Sequence, residues 1–234
     1  MTLALGADRI DQVRATLHAL RQLVADPDDT PRVFEITRAL GRPSLRRGAL
    51  RFKSTAVGRR VLAERIDLLV TLRDRAGLAR LPSGTLGRAY HDFVYRENLS
   101  ADGLVEASMA GGTHTRFDDA DMRRYAERMR EQHDLWHTLT GYGRDPFGEV
   151  CLLAFTYAQT GNKGLGLIAL VGTLRGLQKA GPRVPKAVWA AFQAGRHASW
   201  LPEQDWERLL RLPVDDVRRQ LAIPPAARAY RDAA

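Results

Sequence analysis

The chain has 234 residues with 36 basic and 27 acidic side chains, which give a formal net charge of +9. Hydrophobic residues make up 44% of the sequence and charged residues 27%, a composition that excludes a chain disordered along its whole length. The single cysteine, Cys151, excludes a disulfide framework and any multi-cysteine metal cluster.

The first half of the chain predicts a series of amphipathic helices. Apolar residues recur at helical spacing over residues 10–24. Thr30-Pro31 predicts the start of a second helix, and Gly41 its end. Further apolar residues predict a helix from Leu62 to about Gly77, and a shorter one from Leu86 to Val94 after the turn Pro82-Ser83-Gly84.

The second half continues in the same pattern after a glycine-rich loop, Ala110–His114. We expect one long helix from about Asp118 to Thr140, which the glycines of 141–143 end. Asp145-Pro146 then predicts the cap and first residue of the next helix. The remaining predicted features are an apolar helix over Gly164–Lys179, a helix that starts near Pro185, and a tail interrupted by Pro202, Pro213 and Pro224.

No stretch shows the period-two alternation of a strand, so the sequence predicts an all-α fold. We expect a single domain over residues 1–234, with an N-terminal helical part of about 1–97 and a motif-bearing part of about 118–225. The seam between them is expected near residues 98–117.

The cellular location of the protein is predicted from the short length of its apolar segments. Met1–Gly6 is too short for the apolar region of a signal peptide. The longest apolar run, 164–174, has 11 residues, whereas a membrane-spanning helix needs about 20. We therefore expect a bacterial cytoplasmic protein without a transmembrane helix.

Seven basic residues follow one another without an acidic residue between them: Arg42, Arg46, Arg47, Arg51, Lys53, Arg59 and Arg60. Such a cluster is typical of a solvated helix face, and it also suits phosphates or an anionic membrane. Because Phe52 is the lone aromatic residue within it and no nucleic-acid-binding motif accompanies it, we expect no nucleic acid partner.

The most informative segment places four metal-binding side chains near one helix end: His133, Asp134, His137 and Glu149. With His133 at 0° on a helix, His137 lies at about 40° and Asp134 at about 100°, so the three share one face. The predicted turn at 141–145 makes the next helix an antiparallel neighbour and turns Glu149 back toward His137. The sequence therefore predicts a metal site between two antiparallel helices.

This mixed nitrogen and oxygen set suits Zn²⁺ first, then Fe²⁺ or Mn²⁺, with Mg²⁺ less natural. A zinc protease would carry His-Glu-x-x-His, but here the second position is Asp134. A di-iron bundle would need Glu-x-x-His on separate helices, and neither Glu131 nor Glu149 is followed by such a histidine. Cys151 has no base assigned to it and is expected to fill the core.

His-Asp-x-x-His followed by eleven residues and Glu resembles the motif of the coenzyme Q (ubiquinone) biosynthesis protein 4 family. Residues 133–141, 148–150 and 158–161 are similar to three consecutive segments of that family. Upstream, Leu81-Pro82-Ser83-Gly84-Thr85-Leu86-Gly87-Arg88-Ala89-Tyr90 resembles another of its elements, and Trp206-Glu207 and residues 217–221 resemble its C-terminal pattern. The resemblance covers roughly residues 30–225.

The resemblance implies an all-helical, peripheral membrane protein of ubiquinone biosynthesis. Family members are implicated in removing the C1 carboxylate of a polyprenylated hydroxybenzoate, with hydroxylation at that carbon in the oxidative version, and in organising a multi-enzyme complex. Carried over by position, the metal ligands are His133, Asp134, His137 and Glu149. The lack of a transit peptide favours the surface of a bacterial inner membrane.

Two functions therefore remain open. In the first, the chain is a metal-dependent carbon–carbon lyase, a decarboxylase in which Arg88 or Arg144 clamps the substrate carboxylate. In the second, it is a prenyl-lipid-binding scaffold with a structural metal site. Both imply a polyprenylated precursor, an anionic membrane surface and other ubiquinone-biosynthesis enzymes as partners, and both leave a homodimer open. A third, weaker interpretation is a metal-dependent hydrolase.

Overall fold

The computed structural model describes residues 30–96, 119–224, 226 and 228–231. Within these ranges the chain is helical and contains no named strand. The first half holds α1 (Thr30–Ser54), α2 (Ala56–Ala63), α3 (Leu68–Arg73), α4 (Arg75–Arg80) and α5 (Leu86–Arg96). The predicted helix over 10–24, the loop Ala110–His114 and the seam at 98–117 lie outside the described residues.

Five further helices form most of the described motif-bearing half. They are α6 (Ala120–Glu131), α7 (His133–Thr140), α8 (Pro146–Thr160), α9 (Lys163–Ala180) and α10 (Arg183–His197). The tail consists of a 3₁₀ turn (Leu201–Glu203), α11 (Trp206–Leu209), α12 (Val214–Gln220) and α13 (Arg228–Arg231). These elements confirm the all-α prediction.

Helix α8 is at the centre of the molecule and packs against both α9 and α10. The main core cluster joins its Leu152 and Phe155 to Trp136 of α7 and Trp206 of α11. The first amides of α5 are satisfied by the tail, because Leu86 N–H and Gly87 N–H donate to the carbonyls of Leu212 and Leu210 at 2.8 Å each. The tail is therefore part of the domain core.

The predicted end of the second helix at Gly41 is wrong, because α1 continues through Gly41 and Pro43 to Ser54. A Cβ at position 41 would stand 2.4 Å from Nδ2 of Asn162. The glycine thus allows α1 to approach the start of α9 closely. Ser44 Oγ donates to the Gly41 carbonyl at 2.7 Å, near the point where Pro43 removes a helical N–H.

The single helix predicted over 62–77 is also wrong, since this segment contains the end of α2, all of α3 and the start of α4. Arg65 has φ 56°, which ends the helical path. Asp67 and Asp74 then accept hydrogen bonds from the amides of Leu69 and Gly77 at 3.0 and 2.8 Å. Two aspartate caps therefore divide an otherwise helical apolar pattern.

The long helix predicted over 118–140 is broken at Gln132, which has φ −82° and ψ 0°. Its buried side-chain Oε1 accepts hydrogen bonds from the indole N–H groups of Trp206 at 2.8 Å and Trp136 at 3.3 Å. The break separates α6 from α7, so the first metal-binding candidate, His133, begins a new helix.

The predicted end of α7 at 141–143 and the predicted cap of α8 at Asp145 are confirmed. Gly141 has φ 76° and ends α7, and Gly161 has φ 66° and ends α8. Asp145 caps α8 by accepting from Phe147 N–H and Gly148 N–H at 3.0 Å each. Asn162 caps α9 in the same way.

The basic cluster of 42–60 lies on α1 and α2, and several of its members have contacts within the fold. Lys53 pairs with Asp121 at 2.6 Å and Arg60 with Asp205 at 3.0 Å. The guanidinium of Arg51 lies 4.0 Å from the ring centroid of Trp200. Part of this positive charge therefore ties α1 and α2 to the motif-bearing half.

Within the described part of the chain, each helix is too short or too polar to cross a lipid bilayer.

Candidate metal centre

Two helices and the short connection between them bring three metal-binding side chains together. His133 and His137 lie one turn apart on α7, and Glu149 lies in the first turns of α8. His137 Nε2 is 3.4 Å from Glu149 Oε1, and His133 Nε2 is 4.0 Å from Glu149 Oε2. One ligand atom from each residue lies within 4.8 Å of the other two.

The two imidazole rings are oriented for a shared ligand. Their centroids are 4.8 Å apart and their planes differ by 24°. His137 Nδ1 lies 2.9 Å from the Tyr142 carbonyl, a contact that requires a proton on Nδ1 and leaves Nε2 toward Glu149. A backbone carbonyl that holds the far nitrogen is typical of metal-binding histidines.

Two buried nitrogens in this cluster lack a hydrogen bond: Nε2 of His137 and Nδ1 of His133. A buried polar atom without a partner costs free energy, and metal coordination satisfies such an atom. Two imidazoles and one carboxylate are a donor set found around Zn²⁺ and around non-haem Fe²⁺. The residues present therefore fit a divalent transition-metal ion.

The predicted fourth ligand, Asp134, is placed differently. It is buried, and its Oδ1 lies 4.0 Å from His133 Nδ1, but its carboxylate is outside the group of three mutually close ligand atoms. The three-residue cluster is thus what the geometry assembles, and coordination by Asp134 stays a prediction.

The two arginines predicted to bind substrate occupy different environments. Arg144 Nε lies 3.8 Å from Glu149 Oε1, and its side chain is 38% exposed, so its guanidinium stands at the open edge of the cluster. Arg88 instead donates to Asp92 Oδ1 at 2.9 Å and to the Ala79 carbonyl at 2.8 Å. Its guanidinium is therefore occupied by contacts within α4 and α5.

Two residues outside the motif support the cluster and were missed by sequence reasoning. The ring of Phe93 on α5 stacks on His137 with centroids 5.7 Å apart. Tyr230 of α13 accepts from Gly143 N–H at 2.6 Å and donates to Asp145 Oδ2 at 2.9 Å, which fixes the connection between α7 and α8. In the sequence, Phe93 is one of the apolar residues of the helix predicted over 86–94. No signal in the sequence linked Tyr230 to residue 143.

Cys151 is fully buried in the main core, and burial raises the pKa of its thiol to about 12. It is therefore unsuited to act as a nucleophile near neutral pH. The prediction that it fills the core is confirmed.

Electrostatics couple His137 to Glu149. Burial lowers the pKa of His137, but the adjacent Glu149 carboxylate outweighs it and raises that pKa above the ordinary value. Burial likewise raises the pKa of Glu149, and His137 outweighs this and lowers it. For His133, burial lowers the pKa and the neighbouring imidazole adds to that effect. In the metal-free site, each of these two groups therefore favours the charged form of the other.

Metal binding should consequently weaken as the pH falls. The ion must displace the proton of His137, so below the raised pKa of this group each pH unit lowered should reduce affinity roughly tenfold. Above that pKa the affinity should level off. Zinc titration calorimetry from pH 6 to 8, in buffers of different ionisation enthalpy, measures both the affinity and the proton released. A constant affinity without proton release over this range contradicts the arrangement.

The whole chain can be placed among known proteins. Residues 7–227 match the family described as Coenzyme Q (ubiquinone) biosynthesis protein Coq4. A mitochondrial ubiquinone biosynthesis protein COQ4 from Scheffersomyces stipitis is 31% identical over 192 residues, which cover 81% of this chain and 58% of the relative. A COQ4 homolog from Danio rerio is 32% identical over 186 residues, or 76% of this chain and 64% of the relative.

These matches leave more than a third of each relative outside the alignment. For the fold, the crystal structure of a proposed ubiquinone biosynthesis protein from Nostoc punctiforme superposes with a TM-score of 0.66 at 22% identity, over 90% of this chain and 97% of that one. The solved structure therefore supports the helical architecture.

Proposed function

Because the chain belongs to the coenzyme Q (ubiquinone) biosynthesis protein Coq4 family, we propose that it removes the C1 carboxylate of a polyprenylated hydroxybenzoate in a metal-dependent step. The reaction takes place at the surface of a bacterial inner membrane, alongside other ubiquinone-biosynthesis enzymes. The observation that carries this proposal is the cluster of His133, His137 and Glu149 with its two unpartnered buried nitrogens.

The bond between C1 and the carboxylate breaks, CO₂ leaves, and the electron pair left at C1 takes a proton. His133, His137 and Glu149 would hold a divalent ion, which would supply a Lewis acid to stabilise the negative charge that develops on the substrate. The carbonyl of Tyr142 and the ring of Phe93 hold His137 in the orientation this requires.

We assign binding of the substrate carboxylate to Arg144. Its guanidinium stands near Glu149 at the exposed edge of the cluster, where a substrate carboxylate can reach it. A guanidinium binds a carboxylate with two parallel hydrogen bonds, which would orient the C1 carbon toward the ligand cluster. Because Arg88 already donates to Asp92 and to the Ala79 carbonyl, we propose Arg144 for this step.

Three ligands leave an open coordination position, whereas structural zinc sites are closed by four protein ligands. The connection between α7 and α8 is also fixed by the chain itself, through the Asp145 cap and the two hydrogen bonds of Tyr230. A metal is not needed to pin these helices. Both observations support the catalytic role over the scaffold role, in which Asp134 would complete a closed site.

Zinc is the ion we propose first, and the same three-residue set also suits Fe²⁺. The two ions imply different chemistry. Zinc supports simple decarboxylation, while the oxidative version, with hydroxylation at C1, requires O₂ and either iron or a partner hydroxylase.

The test is CO₂ release from a short-chain prenylated hydroxybenzoate in detergent by purified protein loaded with Zn²⁺, Fe²⁺, Mn²⁺ or Mg²⁺, with and without O₂. We expect turnover with Zn²⁺ in the absence of O₂, and none from Glu149→Gln. Turnover only with iron and O₂ would contradict simple decarboxylation and support the oxidative version. Substrate binding without CO₂ release under any of these conditions supports the scaffold and contradicts the enzyme.

A further inference from the structure

Helix α9 exposes a stripe of leucines. Leu170, Leu174 and Leu177 are 56%, 53% and 41% exposed. At about 100° per residue they lie within an arc of about 60° on one side of the helix. Ile168 and Ala169 of the same helix face the core, so the leucine stripe lies on its outer side.

An aromatic row on the neighbouring helices borders this stripe. Trp189 of α10 is 61% exposed and stacks on Phe192, which in turn stacks on Tyr157 of α8. The Tyr157 ring lies against Gly166, where a Cβ would be 3.1 Å from its nearest ring carbons. Gly166 is one turn before Leu170 on the same side of α9. Leucines and aromatic rings therefore form one surface, here named the α9–α10 face.

The charged side chains that α9 and α10 contribute to this face are all basic. No acidic residue occurs between Glu149 and Glu203, and the same interval contains six basic residues: Lys163, Arg175, Lys179, Arg183, Lys186 and Arg196. Lys186 lies three residues before Trp189 and Arg196 seven after it, which places both on its side of α10. Lys179, Lys186 and Arg196 are exposed.

We propose that the α9–α10 face is the surface by which the protein lies on an anionic lipid bilayer. Exposed leucines enter the boundary between headgroups and acyl chains, Trp189 occupies the headgroup level, and the basic residues meet lipid phosphates. This inference rests on the membrane location in the proposed function and names the side of the molecule responsible for it.

Charge favours a bilayer over a second copy of the chain. A two-fold interface would bring the same surface of both subunits together, and here that would oppose the basic side chains of α9 and α10 with those of the second copy. An anionic bilayer complements the same charge and also accepts the leucine stripe. A homodimer through this face is the alternative that the test must separate.

The test is flotation with vesicles of phosphatidylcholine alone or with 30% phosphatidylglycerol. Wild type should bind the anionic vesicles and lose binding at high salt. Lys179→Glu/Lys186→Glu and Leu170→Ser/Leu174→Ser/Trp189→Ser should each bind roughly tenfold more weakly or worse. Matched controls elsewhere on the surface are Arg208→Glu/Arg211→Glu and Val70→Ser/Tyr95→Ser, with Val70 65% and Tyr95 75% exposed, and these should bind within about twofold of wild type.

Equal vesicle binding by the face variants and the wild type overturns the inference. Wild-type binding that is equally strong to neutral and anionic vesicles overturns it as well. So does a wild-type dimer that the leucine variant converts to a monomer with unchanged vesicle binding. CO₂ release in detergent, where no bilayer is needed, separates this inference from the proposed function. Face variants that keep turnover but lose vesicle binding support the membrane-binding face. If the wild type releases no CO₂ in detergent and the face variants still lose vesicle binding, the face is supported and the decarboxylase is contradicted.

Discussion

Replacing Glu149 with glutamine is expected to abolish stable binding of a divalent metal. Glutamine keeps the size of the side chain but removes the charge that lies within 4.0 Å of both imidazoles. Loss of one of three ligands should weaken affinity by at least about 100-fold, because even second-shell changes cost 10–100-fold. Metal analysis after dialysis against zinc should fall from about one ion per chain to nearly none.

One further variant is a control for this result, and a second tests the predicted fourth ligand. Glu203→Gln changes a carboxylate far along the chain and should retain the ion. Asp134→Asn tests the fourth ligand predicted from the motif, and a three-residue site predicts that the ion is retained. Full metal content in a folded Glu149→Gln protein contradicts the site.

The second large effect concerns stability. Arg128 of α6 is 1% exposed and donates to both carboxylate oxygens of Glu207 at 2.8 and 2.9 Å, and to the Gln204 carbonyl at 3.1 Å. Glu207→Ala leaves this guanidinium buried without its counter-charge. Breaking a buried pair from one side costs about 3–5 kcal/mol, and the 22% exposure of the Glu207 side chain favours the lower end.

Urea unfolding monitored by tryptophan fluorescence measures this loss as a lower midpoint. The matched control is Glu203→Ala, in the preceding 3₁₀ turn, which should change the free energy of unfolding by less than about 0.5 kcal/mol. Equal midpoints for the two variants would show that the α6–α11 contact contributes little to the fold.

The two helix ends that flank the connection between α7 and α8 were predictable from the sequence, whereas the local aspartate caps that divide residues 62–77 were missed. Gly141 ends α7 in a left-handed conformation, and Asp145 caps α8 through amides two and three residues ahead. These signals fixed the connection that carries the metal cluster. The pairing of His133, His137 and Glu149 followed from that connection and from helical spacing, and the resemblance of the surrounding segments to one family is confirmed by the match over residues 7–227.

Features that depend on distant residues were not predictable. A glycine such as Gly41 is typical of a helix end, but here it allows Asn162 to approach α1 closely. The break at Gln132 depends on the indole of Trp206, 74 residues further along the chain. Helical spacing placed Asp134 near His133 and His137 without the precision to say that its carboxylate lies outside the group of three close ligand atoms.

The proposed function requires the metal cluster for processing of the substrate at C1. The most direct measurement is mass spectrometry of quinone intermediates in a strain that lacks this gene, complemented with wild type or with Glu149→Ala at equal abundance. We predict that the deletion accumulates a prenylated precursor that retains the C1 carboxylate, that wild type clears it, and that Glu149→Ala does not. Restoration of ubiquinone by Glu149→Ala would contradict the claim.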